Sequence, residues 1–219
     1  MSTLLRCLAM LALMASLVAP AGAAEAPLDR TSALSALVDA DVEARRRGAI
    51  SLAETGAMAD VPALIEVLGE DDDALVRVIA ERSIWVLWNR SGDDGVDALL
   101  AQGMDHMAAR RFAESIATFT QIVERLPDFA EGWNKRATAR FLAGDLEGSA
   151  ADCDEVIHRN PWHFGALSGY GLIHMKQGRL HAALDAFERA LALNPNMIGV
   201  RANVDAIRGE LARRGETRT

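Results

Sequence analysis

Bulky and small side chains recur along residues 96–195 at a fixed interval of 34 positions. Leu99, Trp133 and Leu167 stand at the fourth place of each interval, and the small residues Gly103, Ala137 and Gly171 at the eighth. Ser115, Ser149 and Ala183 follow, then Phe119, Cys153 and Phe187, then Ile122, Val156 and Ala190. Pro127, Pro161 and Pro195 close the three intervals. Small places facing large ones let two helices approach closely, and a proline ends the second helix because it cannot extend the hydrogen-bond ladder. The pattern therefore predicts three helical hairpins, 96–129, 130–163 and 164–197. Each buries its apolar face against the next.

Beyond the last proline, Met197 to Arg214 carries Ile198, Val204, Ile207 and Leu211 among charged residues, an amphipathic stripe expected of a capping helix over 197–214. Upstream, residues 28–90 follow a looser pattern. Asp41-Val42-Glu43-Ala44-Arg45 leads into Ala49, Ile50 and Leu52, and Asp73-Ala74-Leu75-Val76-Arg77 leads into Ala80, Ile84 and Leu87. Between them Pro62 opens a short helix, at a position where its missing N–H costs nothing. Ser91-Gly92-Asp93-Asp94-Gly95 marks the junction, with two aspartates placed to cap the following helix. Because the junction is short, the two arrays are expected to stack into one continuous solenoid.

The 34-residue pattern resembles three tandem tetratricopeptide repeats, and residues 28–90 resemble short HEAT-type repeats related to phycobilisome lyase subunits. Gly171 through Ala183, Phe187, Ala190 and Pro195 carry the fullest copy. The middle copy departs from the pattern with Arg136 where leucine is usual and Cys153 where an aromatic is usual. The resemblance implies an all-α, right-handed α-solenoid whose first helices line a concave groove. The groove places are then Leu100, Met104 and Met107 in the first unit, and Glu131, Asn134, Thr138 and Phe141 in the second. The third contributes Ser168, Leu172, Met175 and Lys176. Only Asn134 matches the basic and amide set with which some members of the family grip a terminal carboxylate, so a carboxylate clamp in the groove is not expected. A methionine-bearing groove suits apolar segments of varied shape.

Composition agrees with packed helices: half the residues are apolar, only 5% aromatic. Arg6, the apolar run Cys7–Val18, Pro20 and the small residues 21–24 read as a secretory signal, residues 1–24, cleaved after Ala23 or Ala24. Arg6 before Cys7 argues against lipid attachment. Export to a periplasm is expected, with secretion as second choice and no stable membrane insertion after cleavage. The net charge is −8, and losing Arg6 makes it one unit more negative, a poor balance for nucleic acid. Cys153 alone survives processing, so no internal disulfide forms and the thiol reads as a core filler.

No phosphate loop, paired-cysteine metal motif or nucleophile elbow occurs. His106, His158, His163, His174 and His181 lack the spacing of a zinc set, and Glu70–Asp73 lacks the alternation of a calcium loop. No cofactor or metal is expected. The acidic run reads instead as a helix-start turn, and Arg45 as the partner of a nearby acid. The function expected is a non-catalytic scaffold of the bacterial cell envelope that binds a protein or peptide partner. The alternatives are a subunit of a chromophore-lyase-like enzyme assembly and a self-assembling homo-oligomer.

Overall fold

A computed structural model describes residues 26–216; the expected signal segment lies outside them. The described residues form eleven α-helices and no strand. They are α1 (Arg30–Ala36), α2 (Val42–Thr55), α3 (Val61–Glu70), α4 (Ala74–Asn89), α5 (Asp94–Ala108), α6 (Phe112–Arg125), α7 (Ala130–Ala143), α8 (Leu146–Arg159), α9 (Phe164–Lys176), α10 (Leu180–Leu193) and α11 (Ile198–Arg214). A short 3-10 turn, Met58–Asp60, precedes α3.

Helix starts follow local chemistry. Asp29, Asp41, Asp73, Asp93 and Asp145 each accept backbone N–H groups of the first turn. Each cap satisfies donors that the helix itself cannot. The turns between paired helices need a left-handed residue: Gly144 (φ 90°) and Gly178 (φ 71°) supply it, and Arg110 is forced to φ 60° at the equivalent place. An arginine there carries a Cβ–carbonyl crowding cost of about 1–2 kcal/mol that glycine avoids.

From α5 to α10 the helices pair as α5/α6, α7/α8 and α9/α10, with α6 on α7 and α8 on α9 joining the pairs. The sequence period is repeated in the contacts. Ser115 Oγ donates to the Gly103 carbonyl at 2.9 Å, and Ser149 Oγ to the Ala137 carbonyl at 2.8 Å. Phe119 and Phe187 are fully buried, and a Cβ added at Gly103 or Gly171 would collide with their rings. Substituting Gly171 with alanine is therefore expected to destabilise by about 1–3 kcal/mol, even though alanine is the better helix former by roughly 1 kcal/mol. Urea denaturation checks it, and a more stable variant would show that Phe187 can move aside.

The C-terminal helix α11 caps the stack through Val200, Val204, Ile207 and Leu211, which join Leu184 and Phe187 in one core. Ile198 does not take part. It is 81% exposed, because the helical stripe runs i, i+4, i+7, i+11 from Val200 and leaves Ile198 off the face.

The arrangement of α1–α4 corrects the expectation of one continuous stack. Here α1 pairs with α2, α3 with α4, and α2 packs on α4. Arg45 and Arg46 of α2 pair with Asp71 at 2.7 Å and Asp73 at 2.9 Å, so the acidic run is a cross-linked helix start. The Arg45 guanidinium holds the Asp71 carboxyl below its usual range, and Arg46 does the same for Asp73. The four-helix unit does not continue into α5, whose main partners are α6 and α7. It folds back instead, so that α4 reaches α7 and α3 reaches α10. The driving contacts are aromatic: Trp88 lies flat on His163 at 4.3 Å, and Trp85 and Trp88 both meet Phe164, at 5.4 and 4.8 Å. Burying Trp88 and part of Trp85 across the inter-repeat turns removes apolar surface from water, which favours this docking.

Candidate functional site

The first helices of the second and third pairs, α7 and α9, lie side by side and leave a hollow between them. Asn134, Ala137, Thr138 and Phe141 of α7 and Gly165, Ser168, Gly169 and Leu172 of α9 line a cavity of about 150 Å³. Its floor is made of small residues, which is what allows the two helices to leave room there. Thr138 and Leu172 are exposed, Asn134, Phe141 and Ser168 half-buried. Lys176 Nζ sits 5.0 Å from the Phe141 ring, so one end of the hollow carries an aromatic face backed by a cation. Trp85 of α4 packs against Gly165, its ring 3.0 Å from where a Cβ on that glycine would stand.

The expected groove residues divide into two groups. Asn134, Thr138, Phe141, Ser168 and Leu172 are brought together in this hollow, with Lys176 at its edge. The others are elsewhere. Leu100 is buried in the core of α5, α6 and α7, with Met107 packed against that same core. Met175 packs on the α10–α11 core, and Met104 stands exposed on α5 at a distance from the hollow's lining. Glu131 is a correction of another kind. It is fully buried, its Oε2 accepting from His163 at 3.0 Å and its Oε1 paired with Lys135 at 2.7 Å, so it offers nothing to a ligand in the groove.

That buried pair was not visible as a pair in the sequence. His163 caps α9, its Nδ1 accepting the Ala166 N–H at 3.1 Å. The remaining proton is therefore on Nε2, which donates to Glu131. Burial alone would raise the Glu131 carboxyl, but the His163 hydrogen bond and Lys135 reverse this and hold it below its ordinary value. The contribution is thus complete near neutral pH and is lost as acid protonates Glu131 through its lowered pKa. A signal existed: residues 129, 163 and 197 occupy one repeat place, filled by Phe129, His163 and Met197, and His163 alone is polar.

Arg136, at a place where the repeat favours an apolar side chain, is also explained. It is nine-tenths buried and grips Asp152 of α8 in a two-pronged bond, Nε–Oδ2 2.9 Å and Nη2–Oδ1 2.8 Å. Its plane lies 4.8 Å from the Trp133 ring. Cys153, on the groove floor, is buried, and burial beside Asp152 and Asp154 pushes its thiol up to about 12. It is a neutral filler at physiological pH and no nucleophile. Among the described residues no group of three or more His, Cys, Asp or Glu could hold a metal ion, and no helix is long and apolar enough to cross a membrane.

Comparison with known proteins agrees with this geometry. Residues 100–161 and 164–197 match two family models, each described as tetratricopeptide repeat, so the chain carries these repeats. A TPR repeat-containing protein of Rhizobium etli is 33% identical over 108 residues, which cover 49% of this chain and 53% of that protein. DnaJ homolog subfamily C member 3 of Rattus norvegicus is 30% identical over 101 residues, 46% of this chain and 20% of the relative. The matched stretch thus spans about half the length of the first relative and a fifth of the second. Among solved structures, the first TPR of Spaghetti (RPAP3) bound to the HSP90 peptide SRMEEVD superposes with a TM-score of 0.52 at 23% identity, covering 53% of this chain and 93% of that one. At that identity the likeness speaks for the fold.

Proposed function

We propose that this protein is a non-catalytic interaction module that holds an apolar side chain of a partner polypeptide in the hollow between α7 and α9. The observation that carries this reading is the hollow itself: a side-chain-sized cavity with a floor of small residues, rimmed by Phe141, Leu172 and the amide and hydroxyl groups of Asn134, Thr138 and Ser168. An apolar pocket with a few polar groups at its rim suits a peptide, whose backbone needs hydrogen bonds while one side chain inserts. The peptide carried by the Spaghetti domain supports the same class of partner. The apolar run and small-residue cluster of residues 1–24 support export, which would put the partner in the cell envelope.

A photo-crosslinking residue in place of Leu172, expressed in the native host, tests the reading. Discrete adducts are expected there and not at Ala192, an exposed position on α10. Equal labelling at both positions would refute the groove. Once the adduct is identified, the pair of changes Phe141→Ala and Leu172→Ala should weaken its binding about tenfold or more, read by calorimetry, with the melting temperature little changed.

A further inference from the structure

A second cavity, of about 270 Å³, lies where the N-terminal unit meets the inter-repeat turns, away from the groove. Met58, Leu87 and Trp88 line it from one side, Phe129, Arg159 and Asn160 from the other. Two of these side chains have donors with no acceptor. Trp88 Nε1 and Asn160 Nδ2 are buried and make no hydrogen bond, although both residues are only 3% exposed. The Asn160 amide cannot be turned round to help, because its Oδ1 already accepts the Trp162 N–H at 3.2 Å. A buried donor left unmet is costly, because it has lost its bond to water and gained none in the fold.

The next turn shows what satisfies the equivalent group. Asn194 lies one repeat beyond Asn160 and uses its Oδ1 in the same way, accepting the Asn196 N–H at 2.9 Å. Its Nδ2, however, donates to a carboxylate, Glu81 Oε1 of α4, at 2.9 Å, and Asn196 Nδ2 donates to the other oxygen at 3.3 Å. At Asn160 none of the described residues supplies that carboxylate. Two arginines and two acids line the cavity, so charge alone does not select a ligand; Arg159 is paired with Glu155, Arg90 donates to the Gly56 carbonyl, and Glu131 is paired with Lys135 and hydrogen-bonded by His163. The two unmet donors are what an incoming acceptor would meet.

We propose that this cavity is a carboxylate-binding site, in which one carboxylate accepts from Trp88 Nε1 and Asn160 Nδ2 as Glu81 does from Asn194 and Asn196. Both donors have essentially no free surface, so entry requires a lining side chain to turn. Met58, exposed and unbranched, is the adaptable one. The carboxylate is that of an acidic side chain on a partner polypeptide or of a small free acid; the chemistry is the same and the test separates them.

The 15N-labelled protein is titrated with sodium acetate, with sodium chloride at equal ionic strength, and with the blocked peptides acetyl-Leu-Glu-Leu-amide and acetyl-Leu-Gln-Leu-amide. The Trp88 indole and Asn160 side-chain amide protons are expected to move downfield and saturate with acetate and the glutamate peptide only. The indoles of Trp85, Trp133 and Trp162 serve as internal controls. Trp88→Phe keeps the ring on His163 but removes the donor, and Asn160→Ala removes the other; each should weaken acetate binding about fivefold or more. Tighter binding of the glutamate peptide than of acetate, by about tenfold, assigns the site to a partner's side chain, and equal binding assigns it to a small acid. The proposal is overturned if acetate moves these signals no more than chloride does, if the glutamine peptide binds as well as the glutamate one, or if a bound water cross-peak to the Trp88 indole persists at the highest acetate concentration. The wild-type titration decides the matter even if a variant fails to fold.

Discussion

Replacing Asp152 with alanine is expected to destabilise the fold by about 3–5 kcal/mol, because it strands a buried cation. Asp152 is 1% exposed and receives both arms of Arg136, and Arg140 Nη1 reaches its Oδ2 at 2.9 Å. Without the carboxylate, two guanidinium groups would face each other in a site with little water. The double change Arg136→Leu with Asp152→Ala should recover most of the loss. It puts an apolar residue at the place where this repeat favours one, and burying a matched pair of charges brings little net gain over apolar packing. Equilibrium denaturation of the two variants checks both halves. A loss below about 1 kcal/mol for Asp152→Ala would mean that Arg136 escapes to solvent past Trp133.

A change of Trp88 to alanine should cost about 3–5 kcal/mol and should also loosen the N-terminal unit from the repeats. The ring joins the α1–α4 core to the third repeat, stacking on His163 and touching Phe164, which itself belongs to that core. Glu81 then remains the main polar tie across the interface, to Asn194 and Asn196. Limited proteolysis should show new cleavage in the Ser91–Gly95 junction of the variant, since an undocked unit exposes that segment. Undiminished protection would show that the tie does not depend on the tryptophan. Because Trp85 packs against Gly165, one of the residues lining the hollow, peptide binding there should weaken along with docking.

Much of the repeat array was legible because its cause is local and periodic. Gly103 with Phe119 and Gly171 with Phe187 recur at one spacing because each hairpin meets the same packing problem, and the answer is written at the same places each time. Gly178 and Gly144 at the tight turns, and Asp73 and Asp93 at helix starts, are likewise read from single residues, since their roles depend on backbone conformation nearby. The groove was legible only in part. Asn134, Thr138, Phe141, Ser168 and Leu172 meet as the repeat places imply, but Glu131, Leu100, Met107 and Met175 are drawn into cores by neighbours that the places alone do not name.

By itself the sequence determined that the chain would be helical, where the three hairpins and the capping helix would fall, and which small and large residues would face one another. These follow from periodicity, and a period is a property of the chain alone. The tertiary structure decided that α4 turns back across the inter-repeat turns, that His163 and Glu131 share a proton contact beneath Trp88, and that Arg136 meets Asp152. Those outcomes join residues far apart along the chain, such as Glu81 and Asn194, and depend on how much apolar surface each docking arrangement removes from water. No local pattern records that comparison; only the assembled fold makes it.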